Sequence, residues 1–191
     1  MSVSSIMLNG GFRGKPRLEA YLKEFEGISE PGDFEAFLLG IFRHCRDYLK
    51  RKTNIVPYPR VILDLIHSEK EFSQLQKDYE ERYGEKPSDM AFIDCLNRSV
   101  LGHDIIYINV QSHFGNKSEL SSIVDLCVSY FEELIHSSDP SKPETKIVEL
   151  VFCTVEGFLG IELSEETKLK AVKRATLVDE DRDRPPPAGN T

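Results

Sequence analysis

The stretch Phe131-Glu132-Glu133-Leu134-Ile135-His136 closes a long apolar segment, Leu120 to Ile135, and its reading decides what this chain is organised around. On an α-helix, Glu132 and His136 are i,i+4 neighbours and Glu133 and His136 are i,i+3 neighbours, so the three side chains reach one patch. Further back along the same stripe lie Ser129 and Asp125. A carboxylate and an imidazole one turn apart can share a metal ion, which is why that spacing recurs in metal sites. The competing reading is a polar stripe on an ordinary amphipathic helix, whose Glu–His contact stabilises by about 0.2–0.5 kcal/mol. Spacing alone does not separate the two.

Composition narrows the setting. The 191 residues are 40% hydrophobic and 29% charged, as expected of one globular domain with a core. The net charge of −8, from 32 acidic and 24 basic residues, argues against a nucleic-acid partner, since phosphate neutralisation needs a basic face. The four cysteines (Cys45, Cys95, Cys127 and Cys153) form no CxxC pair, and their apolar neighbours make them small core residues of a reducing compartment. The N-terminus shows neither the charged nor the apolar region of a signal peptide, and no run approaches the ~18 apolar residues of a spanning helix. The expectation is a cytoplasmic protein without a membrane partner.

Outward from the central stretch, Ser118 is a good N-cap for the helix that carries it. Before it, Met90–Leu96 and Asp104–Val110 read as two strands joined by the turn-forming segment 97–103, hence an antiparallel hairpin, with 111–117 as loop. Earlier still, helices are expected over 18–25, over 34–52 with Asp33 as cap, and over 68–83. A β-branched strand is expected over 60–66. After His136 the run Ser137-Ser138-Asp139-Pro140 breaks the helix, and a new one spans about 142–158. A short charged helix, Glu165–Arg174, packs through Leu169 and Val172. Residues 1–15 are glycine-rich and loose, 16–178 form the single domain, and 179–191 read as a disordered acidic and proline-rich tail. The fold class is α+β, with a small mixed sheet of three or four strands against helices.

This order resembles the zincin metallopeptidases, more narrowly the compact gluzincin type, in which a small sheet precedes an active-site helix carrying HExxH and a later helix adds a glutamate ligand. The resemblance covers roughly residues 34–161. It implies a divalent metal held by Glu132, in place of the first histidine, by His136, and by Glu144 or Glu149, of which Glu144 is preferred for its place early on the later helix, with Glu133 as general base. Against Glu144 stands a structural alternative, because Ser141-Lys142-Pro143-Glu144 also fits a capping box. The substitution at Glu132 adds negative charge, lowers the Lewis acidity of a bound ion, and shifts preference from zinc toward manganese or iron(II).

Two functions follow as expectations. One is a metal-dependent peptidase whose second hairpin strand, Asp104 to Val110, offers its edge to an extended peptide substrate. The other is a catalytically inactive zincin-like domain that binds a protein partner, with or without a metal. The ExxH unit of di-iron bundles occurs once where that architecture needs two. His103 and His113 are expected to be exposed loop histidines, and His44 a solvated one.

Overall fold

The computed structural model describes residues 17–95, 98–115 and 117–182. The loose N-terminus expected over 1–15, and the part of the expected tail beyond residue 182, lie outside them. In chain order the elements are α1 (Arg17–Glu26), α2 (Pro31–Lys52), β1 (Val61–Ile66), α3 (Glu69–Tyr83), β2 (Ala91–Asp94), α4 (Arg98–Leu101), β3 (Asp104–Asn109), α5 (Val110–Phe114), α6 (Glu119–Ser138), α7 (Glu144–Leu159) and α8 (Glu165–Arg182).

Alternation along the strands sorts the helices into two layers. Val61, Ala91, Ile93, Ile106 and Ile108 point into the main core, shared with α1, α2, α6 and α7. Ile66, Phe92 and Tyr107 point the other way, onto Phe72, Leu75 and Tyr79 of α3. The thin apolar stripe of α3 therefore covers one face of the sheet, and α6 fills the centre of the other. Twelve of the 20 residues of α6 are buried, including Tyr130, Phe131, Leu134 and Ile135.

The hairpin expected from residues 90–110 forms: β2 and β3 pair antiparallel, Ile93 opposite Ile106. The other edge of β3 is taken by β1, paired parallel with Leu63 opposite Ile106. With order β1-β3-β2, the strand expected to offer its edge to a peptide is the central one. Both of its ladders are occupied, so it cannot recruit a further strand.

Local chemistry sets most boundaries. Ser68 and Ser118 accept from Glu71 N–H and Ser121 N–H, and Gly84 and Gly160 end α3 and α7 in the left-handed conformation. The cap of α2 is Glu30 rather than Asp33, because Pro31 starts the helix three residues earlier with its fixed φ. Two further departures concern α5 and α8. The segment expected as a loop after β3 is helical over Val110–Phe114, since the Asn109 side chain accepts from Ser112 N–H at 3.0 Å and caps it. α8 continues to Arg182, past the expected end at Arg174, and it packs through Ala175, with Leu169 56% exposed. Among the described residues, no helix is long and apolar enough to cross a membrane.

Candidate metal centre

The end of α6 and the start of α7 meet across a five-residue turn, and the chemistry of that turn releases Glu144 for another use. Ser141 does not form a capping box. Its N–H and hydroxyl both bond to Asp139 Oδ1, at 3.2 and 2.7 Å, while Lys142 reaches Asp139 Oδ2 at 3.1 Å. Pro143 takes the N-cap position of α7 without a side-chain bond. The Glu144 side chain lies instead 3.6 Å from His136 Nε2, close enough for an ion pair and too far for a good hydrogen bond. With Glu132, one turn back on α6, the three residues bring one potential ligand atom each to within 4.8 Å of one another. Of the two expected third ligands, the fold brings Glu144 to the group. Glu149 points into solvent and pairs with Lys146 at 2.8 Å.

Among the described residues the centre is acidic, with Glu132, Glu133 and Glu144 set against His136 and the charge of Arg174. Glu132, Glu133 and Glu144 all act on the single imidazole of His136. Burial lowers the His136 pKa, but the contact with Glu144 and the three carboxylate charges override that and push it up to about 9. Burial likewise raises the pKa of Glu132, with Glu144 adding to the shift while His136 and Arg174 oppose it. A proton on His136 therefore occupies the position in which a divalent cation would balance two carboxylates. Two carboxylates and an imidazole form an oxygen-rich, hard donor set that suits manganese, iron(II) or zinc.

Glu133, the expected general base, belongs to the cluster electrostatically but faces the sheet. It is 6% exposed, and burial followed by Glu132 and Glu144 lifts its pKa to about 8, while His136 and a backbone bond from Ile93 of β2 pull the other way. A carboxyl with a pKa near neutrality is suited to exchanging protons at physiological pH.

The remaining candidates separate. His103 bonds to the Leu101 carbonyl at 3.0 Å on the surface. His44 is exposed, with Nδ1 2.8 Å from the Tyr21 hydroxyl. His113 contradicts its expected exposure. It is fully buried on the inner face of α5 and neither ring nitrogen has a hydrogen-bond partner, because α5 turns it inward where a loop would have left it out. Burial, with the nearby Lys117 charge, lowers its pKa to about 3, and a contact with the Met90 backbone, too poorly aligned to count as a full hydrogen bond, opposes the shift. Of the cysteines, Cys45 and Cys127 are buried as expected, but Cys95 is half-buried and Cys153 is exposed, lying off the buried stripe of α7. An open concavity of ≈ 570 Å³ beside Cys153, also lined by Lys142, Lys146 and Glu149, includes none of the three clustered ligands.

Two contributors to the site lie outside the sequence motif, both on α8. Asp179 accepts hydrogen bonds from the first turn of α7, and Arg174 acts electrostatically on Glu132. Their only signal in the sequence is charge, which the expected short helix and tail do not connect to residue 144. Comparison with protein-family models, curated proteins and solved structures finds no match for this chain.

Proposed function

We propose that this chain holds a divalent metal ion between Glu132, His136 and Glu144 and uses it in a zincin-like, metal-dependent peptidase. The convergence of these three ligand atoms to within 4.8 Å, from the end of one helix and the start of the next, carries this reading. When bound, the ion supplies the positive charge that polarises a peptide carbonyl and acidifies a water molecule. His136 must be neutral to act as a ligand, so metal uptake displaces its proton. Glu133, next to the first ligand in sequence and poised to gain or lose a proton near neutral pH, is the residue that takes up and returns the proton in hydrolysis.

A second reading is favoured by one observation. Glu133 is buried toward the sheet and bonded by the β2 backbone, which suits a structural acid in a domain that binds metal or a protein partner without turnover. Peptide hydrolysis separates the two. The wild type, loaded with manganese, iron(II) or zinc, is assayed on a mixed peptide pool alongside Glu133→Gln. The peptidase reading expects turnover in the wild type, a loss of at least about 100-fold in the variant, and equal metal content in both. Full metal loading with no turnover in the wild type favours the non-catalytic reading.

A further inference from the structure

α8 closes on the centre at a point the motif does not contain. α7 has 16 residues and spans about 24 Å, and the 15 residues of α8 from Glu165 to Asp179 span about 22 Å. α8 packs back along α7, so its far turn arrives at the first turn of α7. There the Asp179 carboxylate does what the Pro143 side chain cannot. Oδ1 accepts from Glu144 N–H at 2.7 Å, and Oδ2 accepts from Thr145 N–H at 3.0 Å and from the Thr145 hydroxyl at 2.8 Å. Those amides are among the orphan donors of a helix start, which normally take a cap from the residue just before the helix. Here the cap comes from 35 residues downstream, and the amide it holds at 2.7 Å is that of Glu144 itself. One turn and a half earlier on α8, Arg174 acts electrostatically on Glu132, so α8 addresses both carboxylates of the proposed ligand set.

We infer that Asp179 is a positioning residue for the metal centre. By clamping the first turn of α7 it fixes Glu144 opposite His136, so that docking of the last turns of α8 sets the affinity of the site. This inference rests on the reading of Glu132, His136 and Glu144 as metal ligands. Release of α8 frees the start of α7, turns Glu144 away from His136, and leaves a two-ligand site on α6. Groups that hold a ligand's geometry, without touching the ion, typically govern metal affinity by roughly 10–100-fold.

The test is a calorimetric titration of the full chain with manganese(II) and zinc(II), comparing wild type with Asp179→Ala, Asp179→Asn and Lys168→Ala. Lys168 pairs with Glu156 at 2.8 Å near the opposite end of the α7–α8 contact, so its substitution loosens the same packing away from the ligands. The expected result is a dissociation constant raised roughly 10–100-fold in Asp179→Ala. Asp179→Asn, which keeps one acceptor oxygen, should show a smaller rise, and Lys168→Ala should stay within about two-fold of wild type. Circular dichroism at the titration temperature confirms that each variant is folded. If Asp179→Ala is not folded, the comparison passes to Asp179→Asn, for which a wild-type constant overturns the inference. Wild-type affinity in folded Asp179→Ala overturns it, and so does an equal loss in Lys168→Ala, which makes the effect one of general packing. A wild type that binds neither ion overturns the metal reading itself, and the inference with it.

Discussion

Two charged clusters meet the last turns of α6 through adjacent residues, His136 facing α7 and Ser137 facing the sheet. At Ser137, the fully buried Asp104 carboxylate receives Arg98 Nε at 2.5 Å, a second Arg98 nitrogen at 2.6 Å and the Ser137 hydroxyl at 3.0 Å. Arg98 also donates to the Ser137 carbonyl and lies over the Tyr58 ring at 4.4 Å. One negative charge meets one positive charge, and the bidentate geometry uses both carboxylate oxygens. At His136, three carboxylates meet one imidazole, and its ion pair with Glu144 is long. The difference teaches that a satisfied, neutral cluster is finished as structure, whereas an acidic one of similar burial favours a proton or an added cation even with Arg174 nearby.

That contrast can be broken in four ways, from the largest effect down. Asp104→Ala should cost about 3–5 kcal/mol in urea denaturation, because it strands Arg98 against a low-dielectric surface. The loss should be equal with chelator and with metal. A loss that disappears on adding metal would mean the two clusters are one site. His136→Ala should abolish the stabilisation that metal gives the wild type, about 2.7 kcal/mol at a ligand concentration one hundred times the dissociation constant. Thermal melts with and without manganese check this, and a variant with the wild-type shift contradicts it.

His113 sharpens the comparison as a buried imidazole whose ring nitrogens make no well-formed hydrogen bond, with a backbone contact to Met90 giving its charged form only partial support. Its folded pKa of about 3 lies below the unfolded value of 6.5, so the unfolded chain binds the extra proton between those limits. Stability is therefore complete above about pH 6.5 and declines as pH falls toward 3. The loss attributable to this residue between pH 7 and pH 5 is about 2 kcal/mol. In His113→Leu that part of the decline should vanish, and an unchanged pH slope would remove His113 as its source. The smallest effect belongs to Glu132→Gln. In chelated protein it should leave stability within about 0.5 kcal/mol or raise it, because it relieves like-charge repulsion, yet it should weaken metal binding. Glu132→His should strengthen zinc binding specifically, by adding a second imidazole. Chelated melts and zinc titrations decide both, and a large apo destabilisation by Glu132→Gln would place Glu132 in the structural class.

The sequence made legible what neighbours along the chain decide. Ser118 capping α6, the pairing of β2 with β3, and the spacing of Glu132 and His136 are local chemistry, and all occur as read. The parallel joining of β1 to β3 is a contact across some 40 residues with no local signature, and it closed the edge expected to meet a peptide. His113 was misplaced for a nearer reason. Asn109 reads as part of a strand that runs to Val110, while its side chain caps a new helix that turns the imidazole inward. By composition Asp179 belongs to a tail, because acidic residues before a proline run give no sign of the distant amide that this one caps. The preference for Glu144 over Glu149 rests in the sequence on position alone, and the fold supplies its cause, with Ser141 engaged by Asp139 and Glu149 by Lys146.

The most direct test of the central claim is the metal stoichiometry of the purified full chain, stripped with chelator and reloaded with manganese(II) or zinc(II), measured by elemental analysis beside His136→Ala. The account predicts one ion per chain in the wild type and none in the variant. A wild type that takes up no ion, or a His136→Ala protein that retains it, would contradict the account.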